Sequence, residues 1–380
     1  MSELKVDKVS PRTGNYVALN TVGSKNIVIN GDMSIAQRGT SESSYTSDTY
    51  STVDRMKTRV GSLGTWTISQ STDVPTGQGF AKSLKWDCTT ADASPAADDF
   101  LFLEHKIEGQ NLQYLKYGTS SAETVTLSFW VKSNKTGTGQ VNLRDYDNDK
   151  LLGGTYTISS ANTWEKKTIT YIGNTSDTLD NDNAVSLALE FWLDSGSTYT
   201  GGTAPTAWET RDQTDRNAAG TLSLGDNTAN DWFITGVQLE AGTSASDFEF
   251  LPVDVNLARC QRYFVQFGKN QGVGEATGDS YAFGITNNDD LNSFILIPLP
   301  VRMRTAPTSI TQTGTASDYR LRTYVSDTCT DVPVFSDATP LNVRVTFKNN
   351  GHGFGSGVMV QGQINSANSF IGVDAELWLL

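Results

Sequence analysis

TVTLSFWVKS, residues 124–133, alternates apolar and polar side chains with a period of two. Val125, Leu127, Phe129 and Val131 fall on one side, and Thr126, Ser128, Trp130 and Lys132 on the other, which is the signature of a half-buried strand. AVSLALEFWLD, residues 184–194, repeats it: Val185, Leu187, Leu189, Phe191 and Leu193 oppose Ser186, Glu190, Trp192 and Asp194. Further strand-like runs are Asn26–Asn30, Thr65–Ser69, Ser83–Cys88, Leu101–Glu108, Gln140–Asp145, Trp164–Ile172 and Trp232–Glu240, separated by Gly, Asn and Asp turns. Many short strands with this punctuation predict an all-β chain with an antiparallel jelly-roll sandwich over residues 26–251.

One helix is expected. Asp254 suits an N-cap, and Leu257, Cys260 and Phe264 give one apolar stripe, so residues 252–264 read as a short joint after Pro252. Beyond it strands recur at Arg262–Phe267, Tyr281–Thr286, Ser293–Met303, Asn342–Lys348, Gly357–Ile364 and Ile371–Leu379. These predict a second β-sandwich domain over 265–380. Residues 1–25 carry too few apolar side chains for a core and read as an extended arm that is either disordered or ordered against another chain. The stretch 194–230, rich in Gly, Thr, Asn and Asp, is longer than an ordinary connection and reads as a functional or mobile loop.

Composition narrows the classes. Of 380 residues, 19% are charged and 10% aromatic, so a solvated disordered chain and a long coiled coil are both excluded. The net charge of −13 opposes contact with nucleic-acid phosphates or an anionic bilayer. Cys88, Cys260 and Cys329 are odd in number and far apart, and give neither a disulfide framework nor a zinc spacing. No signal peptide or transmembrane span is read, so folding in the cytoplasm of the producing cell is expected.

The chemistry-bearing residues favour binding over catalysis. His105 and His352 lie in no nucleophile-elbow setting, and Ser356 sits in a glycine turn, so a Ser-His-Asp hydrolase is not expected. With 42 acidic residues, carboxylate pairs of the glycosidase kind are uninformative. Asp145, Asp147 and Asp149 have the first spacings of a calcium loop, but Lys150 and Tyr156 stand where Gly and Glu are required, so a hairpin turn is expected. No metal and no cofactor is called for. GKNQGVGEATG at 268–278 and GHGFGSG at 351–357 are turns rather than phosphate loops, and would suit receptor-facing tips. Trp130 and Trp192 share their faces with polar residues, and Trp208 lies in the long polar loop. An indole so placed can stack on a sugar ring, can pack under a covering loop, or can fill a subunit contact.

Several blocks also resemble known sequences. NIVINGDMSIAQRGTS (26–41) with TSDTYSTVDRM (46–56), WFITGVQLEAGTSASDFEFLPVDVNLARCQRYF (232–264), PLPVRMRTAPT (298–308) and DAEL (374–377) resemble, in this order, the tail-fibre and adhesion subunits of bacteriophage virions. LKVDKV (4–9) resembles the starts of podovirus fibre proteins. The chain departs from the pattern at Met56, where these proteins often carry Trp. The resemblance implies a homotrimeric virion protein without enzymatic activity, on the phage tail, with a carbohydrate-binding-module-like jelly roll. It implies virion docking through residues 1–25, a C-terminal tip facing the host, and binding to a host surface glycan. Capsid decoration, or less so a polysaccharide depolymerase, is the alternative it leaves open.

Overall fold

The computed structural model describes residues 25–268, 280–286, 292–323, 326–349, 356–364 and 369–376. The arm expected at 1–25, except Lys25, and most of the glycine stretches 268–278 and 351–357 with His352 lie outside the described residues. Before the helix run β1 (Ser41–Tyr45), β2 (Thr49–Tyr50), β3 (Lys57–Gly61), β4 (Thr65–Ser71), β5 (Ser83–Thr90), β6 (Phe100–Glu108) and β7 (Val125–Ser133). Then come β8 (Gly137–Asp145), β9 (Lys150–Ile158), β10 (Glu165–Tyr171), β11 (Val185–Ser195), β12 (Glu209–Thr210) and β13 (Asp231–Ala241). They form two antiparallel sheets, ordered β1-β4-β5-β13-β7-β10 and β12-β9-β8-β11-β6-β3-β2, around one core. This is an all-β jelly-roll sandwich.

The alternation places that core. Val125, Leu127, Phe129 and Val131 of β7 and Leu187, Leu189, Phe191 and Leu193 of β11 are at most 1% exposed, and Phe129 meets Phe191 edge-on at 5.2 Å. Each such side chain contributes about 1.5–3 kcal/mol by leaving water. β11 is not half-buried as its alternation suggests, and β7 is so only around Trp130 and Lys132, because loops cover the rest of the other faces too. On β7, Thr126 is buried and its Oγ1 donates to the Gly242 carbonyl at 2.8 Å. On β11, Ser186, Glu190, Trp192 and Asp194 are buried, the last three beneath segment 196–225. The long polar stretch is therefore an ordered cover, held by the turns Ser197–Tyr199, Gln213–Asp215 and Leu224–Asp226, with Leu222 and Leu224 in the core.

Asn26–Asn30 is no strand. Its backbone is held by side chains, the Asn26 Oδ1 accepting from the amides of Val28 (3.0 Å) and Leu239 (3.1 Å), and Asn30 takes φ 61°. The helix α1 spans Val253–Gln261 and starts at Pro252, not Asp254. Asp254 sits in the first turn, where a carboxylate favours the helix dipole. Phe264, expected on the helical stripe, opens the next strand instead.

The C-terminal module follows: β14 (Phe264–Gly268), β15 (Ser280–Thr286), β16 (Asn292–Pro298), β17 (Ile310–Gln312) and β18 (Tyr319–Arg322). It ends with β19 (Ser326–Thr328), β20 (Asp331–Thr339), β21 (Asn342–Lys348), β22 (Met359–Ile364) and β23 (Phe370–Asp374). A three-stranded sheet, β14-β23-β17, and a seven-stranded sheet, β19-β18-β22-β15-β16-β21-β20, share a separate core around Ile295, Ile297, Val343, Val345, Phe347 and Ile371.

Candidate functional site

The three tryptophans singled out by the sequence part company. Trp130 is half-buried on the outer face of β7, opposite Lys166 of β10 in register. It lines a groove of about 180 Å³ with Gln78, Phe80, Ser128, Lys166, Asp247, Phe248 and Phe250. Phe80, Phe248 and Phe250 form a ring cluster with centroids 4.9–5.1 Å apart, and Phe250 is 49% exposed. An aromatic floor ringed by an ammonium, a carboxylate and an amide can hold a ring with apolar faces and polar edges. Lys166 and the Phe248/Phe250 pair went unread in the sequence. The parity of Trp164, Lys166 and Thr168, and the alternation of FEF at 248–250, are the signals that carry them.

Trp192 is fully buried and its faces are taken. Phe102 stacks on it at 4.5 Å, Tyr199 packs at 5.1 Å, and the Arg216 guanidinium lies 4.7 Å from its ring. Of the readings open to it, packing under a covering loop is the one its surroundings match. Arg216 also pairs with Glu190 at 3.0 Å, so the loop brings its own cation to the sheet face. Glu190 stands opposite Glu104, both buried. Burial raises the Glu104 pKa, but Arg59 at 2.9 Å, Lys106 at 3.8 Å and the Tyr146 hydroxyl at 2.6 Å outweigh it and hold it at about 2. Trp208 is half-buried, donating from Nε1 to the Ile172 carbonyl at 2.8 Å and meeting Tyr117 edge-on.

The aspartates of RDYDND serve three different partners. Asp145 holds the Asn148 amide and side chain, Asp147 accepts from the Asp180 amide, and Asp149 pairs with Arg211 at 2.8 Å. His105 is buried, accepts from the Ile29 amide through Nε2 at 3.3 Å, and has its pKa driven well below the ordinary value by burial and by Arg55.

The described residues of the sequence blocks 26–41, 46–56, 232–264, 298–308 and 374–377 converge on the joint. Arg55, fully buried, pairs with Glu376, donates to the Lys106 carbonyl at 2.7 Å and lies 3.5 Å over the Tyr263 ring. Arg38 pairs with Asp374 at 3.0 Å and sits 3.6 Å over Phe264. Gln37 joins Asp54 to the Phe264 carbonyl, and Asn256 of α1 reaches Asp32 and Ser34. Arg262 holds Glu108 through two bonds of 2.8 and 3.0 Å. Arg304 donates to the carbonyls of Asn183, Ala375 and Glu376. These residues clamp the jelly roll to the helix and the C-terminal module.

No family model matches the chain, and no curated protein does. Among solved structures it is similar to the enzymatically active domain of bacteriophage CBA120 tailspike protein 4, at 11% identity and a TM-score of 0.31, over 57% of this chain. The match spans only 22% of that tailspike chain. It is also similar to TmCBM61, solved with β-1,4-galactotriose, at 10% identity, TM-score 0.29, over 58% of this chain and 100% of that one. A family 11 carbohydrate-binding module of Clostridium thermocellum shares 11% identity with a TM-score of 0.25, over 53% of this chain and 96% of that one. None of these likenesses bears on a particular residue or ligand of this chain.

Proposed function

We propose that the chain is a tail-fibre subunit of a phage virion that attaches the particle to a glycan on the host surface. In this reading it is a homotrimer, residues 1–25 dock to another virion protein, and the work is multivalent binding without a covalent step. The Trp130 groove carries the reading, because a half-buried indole beside Lys166, Asp247 and Gln78 joins a stacking face to hydrogen-bonding edges. At about 180 Å³ it is smaller than the roughly 300–1,000 Å³ of a small-molecule pocket, so it suits one unit of a longer chain. Weak single sites of this kind gain strength when a trimer presents three together. The conjunction of the sequence blocks at one joint supports the same reading. It gives a structural reason for residues that resemble fibre proteins to occur together in one chain.

The test is adsorption. Trp130→Ala should weaken glycan binding by about 1–3 kcal/mol per site, the loss expected of one stacking partner, and slow attachment of the whole particle more steeply. Normal attachment by particles carrying Trp130→Ala would remove the groove from the account. Labelled subunits imaged on whole virions should decorate the tail; label on the capsid would make this a decoration protein instead.

A further inference from the structure

A cavity of about 590 Å³ opens where α1 meets the jelly roll, and its wall is cationic. Arg259, Arg262, Arg302, Arg304 and Lys106, whose buried ammonium already faces Glu104, line it, with no aspartate or glutamate among the described lining residues. In a chain of net charge −13, such a wall reverses the prevailing sign.

The compensation of these cations is uneven. Arg262 is met by Glu108 at 2.8 Å. Arg304 makes its three bonds to carbonyl oxygens, which hold the guanidinium without neutralising it. Burial pulls the pKa of Arg304, and of Arg259, below the ordinary arginine value, against the pull of Glu108 and Glu376 on the first and of Glu249 on the second. Arg302 is exposed, and a second hollow of about 510 Å³ continues past it over Asp254, Val255, Ala258 and Val301. The cavity thus has positive charge, an open mouth and a volume in the roughly 300–1,000 Å³ range of ligand sites.

The rest of the wall says what kind of anion fits. Asn111 brings an amide, Gln110 and Asn183 bring the side-chain oxygens of amides that donate to Glu108 and to the Arg304 carbonyl, and Tyr114, 48% exposed, brings an aromatic face. A bare inorganic anion has no use for them. A sugar ring with a carboxylate uses both, since amides bond hydroxyls and an aromatic ring stacks on the pyranose face. We infer that this cavity binds a carboxylate-bearing sugar unit, a uronate or sialate of an acidic polysaccharide, with the carboxylate on the arginines and the ring against Tyr114. The site shares no lining residue with the Trp130 groove and does not depend on it.

Titration calorimetry on the full chain tests this with four probes: trigalacturonate, sialyllactose, neutral galactotriose and inorganic phosphate. At least one of the two acidic sugars should bind, more tightly than galactotriose or phosphate and less tightly as salt rises. Arg302→Glu, on an exposed side chain, should abolish that binding, and Tyr114→Ala should weaken it roughly tenfold. Failure of both acidic sugars, equal binding of galactotriose, or phosphate binding as well as the sugars would overturn the assignment. So would binding that survives both Arg302→Glu and Tyr114→Ala. Trp130→Ala should leave the acidic-sugar affinity unchanged. If it alone abolishes binding, the sugar sits in the sheet groove, and the present inference falls while the adhesion reading stands.

Discussion

At the residue scale the joint depends on buried charge. Arg55 and Glu376 are both fully buried, and removing one partner leaves the other without its counter-charge. Arg55→Ala should therefore cost about 3–5 kcal/mol, whereas Arg55→Met combined with Glu376→Leu should recover most of that loss. Urea midpoints of the two variants decide it; equal losses would mean that Arg55 acts through packing on Tyr263 rather than through charge. Glu104 makes a second test. Its folded pKa of about 2 lies below the ordinary 4.5, so its stabilisation is fully present above about 4.5 and is lost as pH falls from there towards 2. Between pH 6 and pH 3, Glu104→Gln should show a smaller fall in stability than the unmodified chain, by about 2 kcal/mol. Identical pH profiles would contradict the ion cluster of Arg59, Lys106 and Tyr146.

At the scale of elements, the sequence was readable where one face is apolar and unreadable where packing breaks the pattern. β7 and β11 announce themselves by strict alternation. β9 does not, because Gly153 and Gly154 interrupt LLGGTYTI. The structure supplies the reason for the second glycine: a Cβ at 154 would stand 2.4 Å from Ile169 Cγ2 and 3.2 Å or less from Tyr171, on a strand of the opposite sheet. Gly154→Val should cost about 1–3 kcal/mol through overpacking, while Thr155→Val on the exposed side of the same strand should be near neutral. A melting series covers both, and a harmless Gly154→Val would show that the sheets can part there. Alternation was equally silent on the burial of Trp192. Period two says which side of a strand a residue takes, but not that Tyr199 and Arg216, from a polar stretch, will cover that side.

At the scale of the molecule, the resemblance blocks lie up to 351 positions apart in sequence, from Asn26 to Leu377, yet their charged and aromatic residues meet in one clamp. Their place in space could not be read from the chain, since an Arg–Glu pair across such a separation leaves no periodic trace. The same blindness hid the cationic cavity, whose arginines come from α1, from the residue that caps its C-terminus and from residues 302–304. What the molecule leaves uncovered is also informative. Register pairs Ile285 with Phe294 and with Met359, which puts Phe283, Ile285, Leu296 and Met359 on one face of the seven-stranded sheet. All four are at least 50% exposed. Exposed apolar side chains gathered on one face mark contact surfaces more often than isolated ones do, and the proposed trimer gives this face its partner. Light scattering of the purified chain should return three times the monomer mass. Leu296→Asp with Met359→Asp should shift it to the monomer without loss of the β-sheet circular dichroism signal, because an unpaired carboxylate in a desolvated contact costs more than the contact returns. A trimer that survives both substitutions would place its contacts on another surface, and a monomer at micromolar concentration in the unmodified chain would leave adhesion to single, weak sites.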